Sequence, residues 1–363
     1  MTALTTGADG VDVVHHHASA APGEHAPLLV LGPLEDYLDS IGMAPGQLSW
    51  ARIGDGQANI TYELRRGGER LVLRRGPRPP FPPSAHDMLR EARVLKAVGG
   101  SGVPVPEVVA VCEDLGVLGA PFYLMPFVEG HVITTSLPVT LLGRGAAVVE
   151  SAVSALAALH AVPLEGDVAA LGRPVGYLDR QVARFSRLWP QNTRREVREV
   201  TETAAALAAN VPTSARASVV HGDYRLGNLL IDDAGRVSAV LDWEMATLGD
   251  PLADLGYLTA TYTTADGPRT PMDLSPVTAG PGFPGRAEII ARYASVTGAD
   301  VSELRWYEAL ALWKSAIFCE AMYTRWLDGE RPGDTFAPRM KDGVPALARA
   351  AASALADFEK GRP

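Results

Sequence analysis

The chain has 363 residues, of which 47% are hydrophobic and 21% charged, an ordinary globular composition with enough length for one large domain or two lobes. Its formal net charge of −9 argues against nucleic acid or an anionic membrane surface as the main partner. No apolar run reaches the roughly 18–20 residues of a membrane span, the start lacks the pattern of a secretory signal, and Cys112 and Cys319 sit apart among apolar residues as reduced core thiols do, so a soluble cytoplasmic protein is expected.

Residues 1–27, rich in Ala, Gly, His and Thr without sustained periodicity, read as a flexible tail. Helical spacing of apolar residues runs over 28–41 and stops at Gly42. Two strands, 60–65 and 70–75, flank the turn Arg66-Gly67-Gly68-Glu69 and predict a hairpin. A Pro-rich loop leads to a helix over 85–98, and strands are expected at 108–112 and 122–128 before Gly130 marks a joint. Beyond it the pattern turns helical, with helices expected at 141–160, 177–189, 194–210, 254–262, 286–297, 302–327 and 336–358. One strand pair interrupts them, 228–231 and 237–241, joined by Asp232-Asp233-Ala234-Gly235. The layout is α+β and bilobal: a small antiparallel-sheet N-lobe over 28–129 and a large helical C-lobe over 130–363.

One segment carries chemistry. His221-Gly222-Asp223-Tyr224-Arg225-Leu226-Gly227-Asn228 leads into an apolar strand, and Leu241-Asp242-Trp243-Glu244 ends the next one. An Asp, an Asn five residues later and a second Asp at the end of the following strand is the layout of a kinase catalytic loop. A hydroxyl is a poor nucleophile, so a carboxylate must orient it and accept its proton, and Asp223 fits that role. The triphosphate needs a hard cation for its charge. Mg²⁺ takes oxygen ligands, for which the amide of Asn228 and the carboxylate of Asp242 are suited. His221 is placed to brace the loop by hydrogen bonding, and Arg225 to reach the transferring phosphate.

With these blocks the chain resembles the aminoglycoside phosphotransferase-like family, which shares the bilobal protein-kinase fold. It is nearest to the kinase-like domain associated with long-chain acyl-CoA dehydrogenases. The resemblance covers roughly residues 50–330 and rests on GQANITYEL, LVLRRGP, AHDMLREARVLKAV, HGDYRLGNLL and LDWEMATLGDPLADLGY. It implies ATP or GTP with Mg²⁺ as the donor, a small-molecule acceptor, and an acyl-CoA dehydrogenase as a partner. In the N-lobe, Gly54 and Gly56 stand where a glycine-rich turn approaches phosphates, and Asn59 replaces its third glycine. Arg74 occupies the place of the phosphate-gripping lysine and can hold two oxygens at once. Glu91 is its natural helix partner. The backbone at Phe127 or Val128 would donate to the nucleobase, because Pro126 has no N–H.

Only seven residues separate Asp242 from Asp250, leaving no room for the activation loop of a protein kinase. The expected enzyme is therefore a small-molecule kinase. Aromatics on the helix near residues 306–329 recur at the spacing of a core face. Together with Lys314 and Arg325 they suit an amphipathic ligand with an anionic part, such as a hydroxyacyl-CoA, better than a polycation. Two alternatives stand beside this one: an aminoglycoside-type antibiotic kinase, and a catalytically silent nucleotide- or acyl-CoA-binding pseudokinase.

Overall fold

A computed structural model describes residues 5–7, 10–17, 26–54, 59–78, 87–267, 269–330 and 333–361. They fall into two compact units. The first comprises residues up to Gly99 with Val105–Val128, and the second Gly100–Pro104 with the chain from Glu129 onward.

The first unit opens with strands β1 (Thr5–Gly7), β2 (Gly10–Val14) and β3 (Leu29–Val30), followed by helix α1 (Leu31–Ser40). β2 pairs antiparallel with β1 and parallel with β3. The reading of residues 1–27 as a flexible tail is thus corrected for 10–14, since Val13 and Val14 are buried against Leu29, Leu34 and Leu38 in one apolar cluster. Arg78 fastens the same stretch, with its guanidinium 2.7 Å from Asp12 Oδ1 and donating to Ala26 O. Leu29 and Val30 belong to this pairing, which is why α1 begins three residues later than the periodicity suggests.

A five-stranded antiparallel sheet follows. It is built from β4 (Ser49–Ile53), β5 (Ile60–Arg66), β6 (Glu69–Arg75), β7 (Ala110–Cys112) and β8 (Phe122–Pro126), in the order β4-β5-β6-β8-β7. The hairpin turn is Gly67-Gly68, both at positive φ, where glycine avoids a Cβ penalty. Helix α2 (Met88–Val98) packs on β8, and Asp87 caps it by accepting from the Arg90 N–H. A one-turn helix α3 (Leu115–Leu118) completes this unit.

The second unit is mostly helical. Short strands β9 (His131–Val132), β10 (Ser218–Val220), β11 (Leu229–Ile231), β12 (Val237–Val240) and β13 (Thr247–Gly249) form one sheet ordered β12-β11-β9 and one pair, β10-β13. The helices are α4 (Gly145–His160), α5 (Gly166–Ala169), α6 (Tyr177–Asn192), α7 (Arg198–Ala209), α8 (Leu252–Thr261), α9 (Arg286–Thr297), α10 (Leu304–Leu327) and α11 (Met340–Gly361). α4 starts at Gly145 rather than at 141, because a 3₁₀ turn over Val139–Leu141 and Gly143 at φ +76° precede it. α10 packs between α8 and α11, and both Trp306 and Trp313 are wholly buried. Their indole N–H groups donate to the carbonyls of Leu207 and Val200 on α7. These two aromatics are core, as their helical spacing indicates.

Candidate active site

The loop between β10 and β11 carries the sequence-predicted carboxylate. Its entry requires glycine: Gly222 sits at φ +87°, and a Cβ there would lie 2.9 Å from both the Cβ and the carbonyl oxygen of Met245. His221 is fully buried, with both ring nitrogens committed. Nδ1 accepts from the Asp223 N–H at 3.2 Å and Nε2 donates to Leu241 O at 2.9 Å. The ring also lies 4.8 Å from that of Trp243. This arrangement leaves His221 no free nitrogen for proton exchange.

Asp254, in the first turn of α8, braces the loop from below. Its two oxygens accept the backbone N–H groups of His221 at 2.7 Å and Gly222 at 2.8 Å, and Oδ2 lies 3.3 Å from His160 Nε2. Burial by itself would raise the pKa of Asp254. The hydrogen bond and charge of His160, followed by His221 and the Gly222 N–H, outweigh it and hold the carboxyl below the ordinary aspartate value. These contacts are those of a brace for the loop.

Asp223 itself is tied most closely by Asn228. Asn228 Nδ2 donates to Asp223 Oδ2 at 2.7 Å and to the Asp223 carbonyl at 2.8 Å. Asp223 Oδ1 is buried and receives no hydrogen bond among the described residues; Arg225 Nε stands 3.5 Å from it. One partner escaped the sequence reading. Tyr257 on α8 lies beside Asp223, and burial first, then the aspartate charge and a side-chain hydrogen bond to that carboxylate, push its phenol well above the ordinary pKa. Three residues past Asp254, it shares that helix face, the one signal that could have pointed to it.

Asp242 reaches the same place through the hairpin register. Leu229 pairs with Val240, and the Leu241 N–H donates to the Asn228 carbonyl at 2.8 Å, so Asp242 follows directly beside Asn228. Asp242 is the one non-glycine residue at positive φ among the described residues, at +68°. This left-handed conformation is one that Asp tolerates better than most residues and that recurs at functional positions. With its amide nitrogen engaged by Asp223, Asn228 has its Oδ1 left for a cation. That oxygen and the Asp242 carboxylate form a hard donor set that fits Mg²⁺.

In the first unit, Arg74 lies on β6, a central strand flanked by β5 and β8. Its Nε donates to Glu91 Oε2 at 3.1 Å, and Glu91 is 1% exposed. Gly54 is at φ +76°, Asn59 is buried, and Gly56 lies outside the described residues. The Phe127 N–H already donates to Arg70 O at 3.1 Å, and the Arg70 guanidinium covers its ring at 3.8 Å. Of the two backbone donors named for a nucleobase, Phe127 is therefore engaged, and Val128 remains.

A model of the phosphotransferase enzyme family matches residues 49–289, more than half of the chain. The chain is 34% identical over 304 residues to acyl-CoA dehydrogenase family member 11 of Gallus gallus, covering 80% of itself and 38% of that relative. It is 31% identical over 314 residues to acyl-CoA dehydrogenase family member 10 of Mus musculus, covering 83% of itself and 29% of that protein. The chain thus spans well under half the length of these relatives. Among solved structures, it is similar to a protein of Ralstonia eutropha JMP134, provisionally described as an aminoglycoside phosphotransferase. The TM-score is 0.76 and the identity 28%, over 90% of this chain and 98% of the other. The fold is shared with a thermostable mutant of aminoglycoside phosphotransferase APH(4)-Ia in ternary complex with ADP and hygromycin B, at TM-score 0.58 and 19% identity, over 87% of this chain and 97% of that one. With its small antiparallel sheet, its large helical unit and this family match, the chain belongs to the phosphotransferase enzyme family.

Proposed function

We propose that the protein is a small-molecule kinase that transfers the γ-phosphoryl group of ATP to an acceptor hydroxyl, with a hydroxyacyl-CoA as the acceptor. The observation that carries this reading is the tethering of Asp223 by Asn228 in the loop that the hairpin brings beside Asp242. Asn228 fixes one of its oxygens, and the other takes no hydrogen bond from the described residues within 3.5 Å, with Arg225 and Tyr257 beside the carboxylate; on this reading that oxygen accepts the hydroxyl proton. The acceptor oxygen bonds to the γ-phosphorus, the bond from that phosphorus to the β–γ bridging oxygen breaks, ADP leaves, and the hydroxyl proton passes to Asp223. Asn228 Oδ1 and the Asp242 carboxylate are the donors that would hold Mg²⁺, which when bound neutralises triphosphate charge. Arg225 faces the same carboxylate and supplies positive charge for the transferring group. Arg74, oriented by Glu91, grips phosphate oxygens in the first unit, with Gly54 and Asn59 beside them and Val128 donating to the base.

The acyl-CoA part rests on the relatives, which carry the matching segment within longer proteins named for acyl-CoA dehydrogenases. On this reading an acyl-CoA dehydrogenase is the functional partner. The test is incubation of the protein with Mg·ATP and a panel of hydroxyacyl-CoAs and aminoglycosides, followed by mass spectrometry for the gain of one phosphate. Phosphorylated hydroxyacyl-CoA is expected, with Asp223→Ala reducing its rate by roughly 10²–10⁴-fold while ADP binding persists. Phosphorylation of aminoglycosides alone would refute the acceptor, and nucleotide binding without any Asp223-dependent transfer would indicate a pseudokinase.

A further inference from the structure

Two cations on α6 and α10 are not used by the chemistry above. Lys314 is half-buried, and its Nζ sits 4.8 Å from the centre of the Phe185 ring on α6. Phe318, one turn further along α10 and 46% exposed, meets the same ring edge-on at 5.1 Å. Arg184, the residue before Phe185, brings a second positive charge to the same place. Among the described residues neither cation has a carboxylate within ion-pair distance or a hydrogen bond. Arg195 and Arg292 of the same unit, by contrast, are paired, with Glu320 at 2.7 Å and Glu150 at 2.8 Å.

A partly desolvated ammonium with no carboxylate in ion-pair contact is unfavourable, and a second cation beside it makes it more so. Burial first and Arg184 second pull the Lys314 pKa down to about 8, while Asp254 and Asp223 act in the opposite direction. The influence of Asp223 places Lys314 within electrostatic reach of the candidate catalytic loop. Tyr257, which lies beside Asp223, is on α8, and that helix packs along α10. The surroundings are thus an apolar wall of Phe185 and Phe318, two unmatched cations, and the proton-accepting carboxylate close by. An anion is the group that would complete this set, and a polycation is what it would repel.

We infer that Lys314 and Arg184 form the receptor for an anionic group of the acceptor, next to the Asp223 carboxylate that takes up its hydroxyl. That the ligand is the acceptor rests on the kinase reading; that the site binds an anion does not. The anion is a carboxylate or a phosphate, supplied either by a free hydroxy acid or by its CoA thioester.

The test separates these sources and needs no turnover. Binding of 3-hydroxyoctanoate, 3-hydroxyoctanoyl-CoA and the neutral 3-hydroxyoctanamide to the full chain is measured by calorimetry. The wild type should bind at least one of the two anions tenfold or more tighter than the amide. Lys314→Met should erase that preference, leaving Mg·ADP affinity and the circular dichroism spectrum unchanged. Arg184→Met, on an exposed position that folding tolerates, should weaken the same anion about three- to fivefold. Where transfer is seen, Lys314→Met should raise the KM of the anionic acceptor and leave kcat within a few-fold. Equal affinity of the wild type for all three probes, or an unchanged anion preference in Lys314→Met, would overturn the inference. So would a fall in kcat of the same size for charged and neutral acceptors, because that would mark Lys314 as a counter-charge for Asp223. Loss of anion preference in Lys314→Met together with no Asp223-dependent transfer would sink the kinase reading and leave the anion receptor standing.

Discussion

Within the candidate site the backbone is as specialised as the side chains. Asn228 holds one oxygen of Asp223, and the preceding residues reach that position only because Gly222 turns at φ +87°. Gly222→Ala places a methyl group 2.9 Å from Met245 in a conformation that L residues avoid. The expected outcome is a loss of about 1–3 kcal/mol in stability, read by denaturant unfolding, with phosphoryl transfer falling more than stability alone accounts for. An alanine variant as stable and as active as the wild type would show that the turn does not set the carboxylate. Asp223, Asn228 and Asp242 were legible in the sequence because a hairpin fixes their spacing: five residues within the loop, then a β-turn that returns the chain to the same point. Tyr257 was not, because its approach to Asp223 depends on how α8 packs, and packing leaves no local pattern.

At the level of elements, β6 and α2 are joined by the ion pair between Arg74 and Glu91. Alternation along β6 places Arg74 on one face of a central strand, and helical spacing buries Glu91 together with Ala92, Val94, Leu95 and Val98. A carboxylate 1% exposed on an otherwise apolar face has a stability cost unless it is matched. Glu91→Gln keeps the shape and removes the charge. It should destabilise the protein by about 1–3 kcal/mol, and a cycle with Arg74→Met should show coupling on the order of 0.5–3 kcal/mol between the two positions. The KM for Mg·ATP should rise about tenfold in both single variants, since Arg74 would lose either its orientation or its charge. Additive effects without coupling would mean that the pair does not hold the strand and helix in register. The pairing was readable from the sequence as a kinase pattern. The engagement of the Phe127 N–H by Arg70 was not, because β-ladder pairing beyond the end of a strand depends on its neighbour.

Across the whole molecule, the division into a sheet-rich and a helical unit followed from the change of periodicity near residue 130, but the N-terminal strands did not. β3 is two residues long, too short to show alternation, and its parallel partner lies some fifteen residues upstream in a stretch of Ala, Gly, His and Thr that reads as unstructured. What the composition conceals, burial makes plain. Val13 and Val14 are 0% and 1% exposed, and they pack against the same leucines that anchor α1. Arg75 adds to this seam by donating to the carbonyls of Leu28 and Leu118, and Arg78 by pairing with Asp12. Removing residues 1–14 therefore takes away two buried valines and an ion pair, and uncovers Leu29 and Val30. At roughly 1.5–3 kcal/mol for each fully buried aliphatic side chain, the loss should be about 3–5 kcal/mol. Val13→Asp, which buries an unmatched charge at the same point, should cost a similar amount without shortening the chain. Chemical denaturation monitored by tryptophan fluorescence measures both, with Trp50 reporting from the first unit, where it packs on this cluster. A truncated chain within 0.5 kcal/mol of the full-length protein would mean that the β2–β3 pairing contributes nothing to the first unit, and that the segment behaves as its composition first suggested.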